Sequence, residues 1–97
     1  MGTTNLVEAR TLGLAAPFWV SLRPEALAFA EAAPAAWHRL AGTVTAFELL
    51  GPLTRLDLRL ANGTQLKMAT LDQPQRSFAV GQAVTLAFDT ERLTVLP

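Results

Sequence analysis

Two alternating runs meet at Asn62-Gly63, and no other feature of these 97 residues constrains the fold as much. Leu56-Asp57-Leu58-Arg59-Leu60 lies on one side. On the other, Leu66, Met68 and Thr70 alternate with Lys67 and Ala69. Strict period-two alternation marks half-buried strands, because successive side chains point to opposite faces. Asn-Gly between two such runs is the strongest short-range hairpin signal. The centre of the chain is therefore antiparallel β structure.

The pattern continues to the C-terminus. Val84-Thr85-Leu86-Ala87-Phe88 and Leu93-Thr94-Val95-Leu96 read as strands. Leu40 to Leu50 is a longer run whose Val44 and Thr45 favour a strand. Gly42 near its start suggests a bulge or a close backbone approach. Gly51-Pro52 separates this run from the next, and Gly81-Gln82 precedes the fourth. Asp89-Thr90-Glu91-Arg92 is a polar turn before the last. Five short strands at this spacing fit a small barrel, and the OB-fold is a five-stranded one. Phe47, Phe78 and Phe88 fall at apolar-phase positions and are expected in the core.

Residues 1–39 are less regular. Leu6 to Leu12 reads as a possible strand and residues 18–22 as a better one. Pro24 suits the first position of a helix, with Glu25 well placed in the first turn. The alanines that follow are good helix formers, and Pro34 would end the element. Propensity alone thus predicts a short helix over 24–33. Ala32 to Ala36 reads as a connector into the barrel.

Chemistry-bearing constellations are scarce. There is no cysteine, hence no disulfide, thiolate metal site or thiol nucleophile. That fits a reducing compartment. His38 is the one histidine, and Trp37 and Arg39 beside it offer no acid/base partner. It reads as a surface or strand-edge residue. The carboxylates are scattered without catalytic or metal-ligand spacing. Neither catalytic residues, metal ligands nor a cofactor site is expected. Eight basic and eight acidic residues cancel, so the positive field that nucleic acid binding needs is missing. Asp57, Arg59 and Lys67 read as a solvated sheet face. Trp19 and Trp37, in the irregular half, are candidates for an interface. Charged residues make up 16%, a low share that suits a surface partly covered by another domain. No apolar run reaches the length of a transmembrane helix, and the N-terminus lacks a signal-peptide pattern.

Several elements taken together resemble a known family. They are Gly2-Thr3-Thr4-Asn5-Leu6, Val20-Ser21-Leu22-Arg23-Pro24-Glu25 and Leu40-Ala41-Gly42-Thr43-Val44. After them come Leu50-Gly51, Leu58 to Gly63, Gly81-Gln82-Ala83-Val84 and Val95-Leu96. This order is similar to the TOBE domain, the transport-associated OB-fold at the C-terminus of ATP-binding subunits of bacterial ABC importers. The resemblance covers nearly the whole chain. It implies an all-β, OB-fold-like five-stranded barrel with extra N-terminal strands. Residues 1–97 form one domain, with strands and connector in 1–39 and the barrel in 40–97. Gly42, Gly51, Gly63 and Gly81 are the matching glycines. Arg23-Pro24-Glu25 is placed at the end of a strand, with Ala26 to Phe29 continuing as extended chain. The resemblance therefore opposes the helix, and tertiary context commonly overrides propensity.

The function it implies is accessory. Such domains pair across the dimer of ATP-binding subunits and help regulate the transporter. The implied partners are the nucleotide-binding domain, a second copy forming a homodimer and, indirectly, the permease subunits. The implied location is cytoplasmic, peripheral on the inner membrane. No G-x-x-x-x-G-K-[ST] occurs here, so ATP hydrolysis would belong to a domain outside this sequence. Arg-Pro-Glu resembles subunits of polyamine, iron(III) and sugar-type importers, and of these the polyamine and iron(III) types are favoured. The alternative is a small-ligand sensor, since some relatives bind oxyanions such as molybdate or sulfate. Trp37-His38-Arg39-Leu40-Ala41-Gly42 departs from the Ala-Arg-Asn-x-Leu-x-Gly pattern of the molybdate-binding relatives, and their later Ser-Ala segment is missing. For Arg23, Pro24 and Glu25 two roles stay open: a corner that holds the fold, or a contact with another domain or subunit.

Overall fold

The alternating runs form strands with one buried and one solvated edge of side chains. A computed structural model of the protein describes residues 4–15, 17–71 and 79–96. Among these, eight strands make two sheets: β1 (Asn5–Glu8), β2 (Trp19–Leu22), β3 (Ala28–Phe29), β4 (His38–Leu50), β5 (Leu53–Leu60), β6 (Gln65–Thr70), β7 (Ala83–Phe88) and β8 (Thr94–Leu96). The larger sheet runs β3-β7-β4-β5-β6 and the smaller β1-β2-β8. Every described strand pairing is antiparallel. The larger sheet is a curled, OB-like half-barrel, and the all-β expectation is met.

In β5 the alternation is complete. Thr54, Leu56, Leu58 and Leu60 are buried, while Arg55, Asp57 and Arg59 face solvent. Leu66 and Met68 of β6 and Val84 and Leu86 of β7 join the same core. Phe88 is buried as expected. On the outer face Lys67 Nζ lies 3.9 Å from Asp57 Oδ1, its cross-strand neighbour.

The two central hairpins follow from their glycines. Leu50 pairs with Leu53, so Gly51-Pro52 forms a two-residue loop. Gly51 has φ +62° and proline holds φ negative, the combination of a type II′ turn. At the second hairpin Leu60 donates to Thr64 O at 2.8 Å and Gly63 donates to Leu60 O at 2.9 Å. With Gly63 at φ +87° this is a three-residue loop with a glycine bulge. Asn62 supports it by accepting from Thr64 N–H at 2.9 Å.

Several expectations need correction. The helix over 24–33 does not form. Two single 3-10 turns, Pro24–Ala26 and Ala30–Ala32, flank β3 instead. Ala28–Phe29 pairs with Ala87 and Leu86, and Phe29 is buried there. Burial of that aromatic outweighs a helix propensity of tenths of a kcal/mol per residue. The extended reading of Ala26 is also corrected, because Ala26 closes the first turn. The strand suggested at Leu6 to Leu12 stops at Glu8 and becomes a 3-10 turn, Ala9–Leu12. The strand at the C-terminus exists but joins β2, so β3 supplies the fifth strand of the larger sheet.

Gly42 marks neither a bulge nor a tight approach. A Cβ there would meet Arg59 O at an ordinary 3.6 Å. The irregularity lies at Thr45, between Val44 and Ala46. Phe47 is not core, being 41% exposed. It shares a face with buried Leu56, but β7 accompanies β4 only from His38 to Thr43. Phe78 lies outside the described residues.

The N-terminal segment is fastened to the barrel by side chains. His38 Nε2 lies 2.6 Å from Leu12 O and donates to it. Asn62 Nδ2 donates to Thr11 O at 3.1 Å. These bonds satisfy carbonyls at the end of the Ala9–Leu12 turn, which helical bonding leaves open. Leu12 is fully buried.

Candidate functional site

The corner at Arg23-Pro24-Glu25 begins where β2 ends at Leu22. Arg23 is extended, at φ −70° and ψ 144°, as the residue before proline should be. Pro24 starts the 3-10 turn, and Ala26 N–H donates to Arg23 O at 3.0 Å. The turn packs on β6. Pro24 and Ala26 are buried in that contact, and Leu27 behind them joins the core. The side chains of Arg23 and Glu25 point away, 71% and 58% exposed, with Nη1 and Oε1 4.0 Å apart. An exposed pair at that distance contributes little to stability. The corner therefore divides by residue. Pro24 and Ala26 fill space between the sheets, while Arg23 and Glu25 present two opposite charges to whatever lies outside.

Large apolar side chains are exposed in two further places. On the outer face of the small sheet are Leu6 and Trp19, with Phe18 just before β2. Val95 of the edge strand β8 is also exposed, on the opposite face, beside Val20. Trp19 is 49% exposed, and Trp37 is half-buried beside the barrel. At the far end of the β4–β5 hairpin are Phe47, Leu49 and Leu50. These groups suit packing against another protein body better than they suit chemistry.

The structure separates the glycines that the sequence grouped with the corner. Gly51 and Gly63 sit at hairpin tips and Gly81 in the turn before β7, all at positive φ. Gly42 is buried within β4. None of them approaches the Arg23–Glu25 corner as part of one site.

His38 has a structural place that the sequence did not reveal. Besides its bond to Leu12 O, its ring meets Phe88 edge-on, with centroids 5.3 Å apart. Asn5 was also missed as a structural residue. It is buried, and its carboxamide bonds to the backbone of Lys67. Asn5 stood in the Gly2–Leu6 element of the family resemblance and His38 as the one histidine, but nothing in the sequence pointed to their bonding partners. Among the described residues no group of three His, Asp or Glu side chains could hold a metal ion. Among them, too, no helix is long and apolar enough to cross a membrane.

Comparison with protein families decides the class. The TOBE domain model matches residues 20–96, most of the chain. The chain belongs to the TOBE domain family. Comparison with curated proteins gave no significant match. Seventeen solved chains match significantly in fold. Among them is the cytoplasmic molybdate-binding protein ModG with molybdate bound, at a TM-score of 0.69 and 18% identity. The alignment covers 90% of this TOBE domain and 67% of that chain. At that identity the likeness establishes the shared fold.

Proposed function

We propose that this TOBE domain is an accessory module that regulates and pairs the ATP-binding subunits of an ABC importer, and that it carries out no catalytic step itself. The polyamine and iron(III) importers are the subclass whose Arg-Pro-Glu corner it resembles. Its partners would be the nucleotide-binding domain and a second TOBE domain, in the cytoplasm against the inner face of the membrane. The observation that carries this reading is the TOBE match together with a surface rich in exposed large apolar side chains, including Trp19, Phe47 and Leu49. A domain packed on a larger body has use for such a surface. In this role Arg23 and Glu25 are contact residues and Pro24 is their support.

The test has two arms. Sequencing the coding region ahead of Met1 should reveal a P-loop motif. An importer ATPase that carries this domain should keep nucleotide binding but lose part of its regulation when Arg23→Ala is introduced. An unrelated upstream region, or an Arg23→Ala variant regulated like wild type, counts against the proposal.

A second reading is a small-anion sensor, favoured by the fold shared with a molybdate-binding protein. Calorimetry with molybdate and sulfate separates the two. Saturable heat supports the sensor, and its absence supports the module.

A further inference from the structure

We infer that Asn5 is a latch that splices the two sheets by standing in for a strand partner at the edge of β6. The inference rests on the fold alone and is independent of the importer reading.

The pairing of β5 with β6 explains why a latch is needed there. In an antiparallel pair, opposed residues alternate between exchanging ladder bonds and pointing their peptide groups away. Leu60 donates to Thr64 O, so Leu58–Leu66 and Leu56–Met68 continue the bonded set. Asp57–Lys67 belongs to the other set. The N–H and C=O of Lys67 therefore project from the β6 edge, away from β5. An open edge of this kind is a template for unwanted pairing.

Asn5 meets both groups at once. Its Nδ2 donates to Lys67 O at 2.8 Å, and its Oδ1 accepts from Lys67 N–H at 2.7 Å. A carboxamide offers one acceptor and a donor in the same plane as a peptide does. It therefore completes the ladder as a backbone group would, although β1 and β6 share no backbone pairing in the sheets. The residue is 6% exposed, so water competes little for these bonds. Asn5 is also the first residue of β1, opposite Leu22. Asn5 thus ties the first strand of the small sheet to the β6 edge by hydrogen bonds, beside the apolar packing of the Pro24–Ala26 turn on β6. These two bonds can open with no ladder bond of either sheet breaking.

Amide hydrogen exchange on the full chain tests the latch residue by residue. In Asn5→Ala the Lys67 amide should exchange at least about tenfold faster, while the Leu66 and Met68 amides, which point to β5, change far less. An unchanged Lys67 rate overturns the proposal. So does an equal acceleration of all three amides, which would make Asn5 an ordinary core residue.

Asn5→Asp is the second test, since it keeps the acceptor and loses the donor. At neutral pH an oxygen then faces Lys67 O, and the melting temperature should fall by several degrees while the Lys67 amide stays protected. Burial and the facing carbonyl raise the carboxyl's folded-state pKa above its ordinary value. The deficit against wild type is therefore full above that pKa and shrinks as pH falls and the carboxyl regains a donor. The charged groups nearby are Lys67 and Asp57, paired with each other, Glu8 on β1, and Arg23 and Glu25 on the turn packed against β6. All are retained in the wild-type reference. A deficit that does not change with pH, or none at neutral pH, overturns the latch.

Discussion

The two halves of β4 carry similar residues and end in different surroundings. From His38 to Thr43 the strand has β7 beside it, and Leu40, Gly42 and Val44 are buried. After the irregularity at Thr45, Phe47 and Leu49 lie on the face of buried Leu56 and Thr54, yet they are 41% and 62% exposed. Apolar character and strand phase are shared by both halves. What differs is the second neighbour: β7 stops at Thr43, and β4 continues to Leu50 with β5 alone. Burial in a small barrel is thus decided by where neighbouring strands stop, which the residues of β4 alone do not encode.

The comparison can be broken by substitution. Leu40→Ala should have the largest effect, a loss of about 2–4 kcal/mol in denaturant unfolding, because it opens space under a closed layer. A loss below about 1 kcal/mol would mean that the first half is no better packed than the second. Gly51→Ala comes next, at roughly 1–2 kcal/mol, because a Cβ is strained at φ +62° at the tip joining β4 to β5. No atom lies within 4 Å of that Cβ, so the cost is conformational and not steric crowding from neighbours. An unchanged stability would remove the type II′ assignment. Leu49→Ala should have the smallest effect, within about 0.5 kcal/mol. A loss as large as that of Leu40→Ala would show that Leu49 is buried in solution.

Most of the larger sheet was legible in the sequence, and the reason is physical. Leu56 to Leu60 and Leu66 to Thr70 alternate because each strand has one wet face, and Asn62-Gly63 supplies the turn between them. The TOBE resemblance also placed Arg23-Pro24-Glu25 correctly at a strand end. The helix over 24–33 failed because local propensity does not register the pocket that receives Phe29. Phe47 failed because phase gives a face and not a cover. Asn5 and His38 were missed because their importance lies in carbonyls and amides far away in the chain, Lys67 for one and Leu12 for the other. The exposed half of the corner, Arg23 and Glu25, was legible as a charged pair, but its partner was not.

The exposed half of β4 and the outer face of the small sheet have meaning in the proposed role only if another body packs on this domain. Multi-angle light scattering of the isolated chain at high micromolar concentration tests the pairing most directly. The account predicts a mass twice the 10.4 kDa of one chain. A mass of 10.4 kDa that persists at the highest concentration would contradict it.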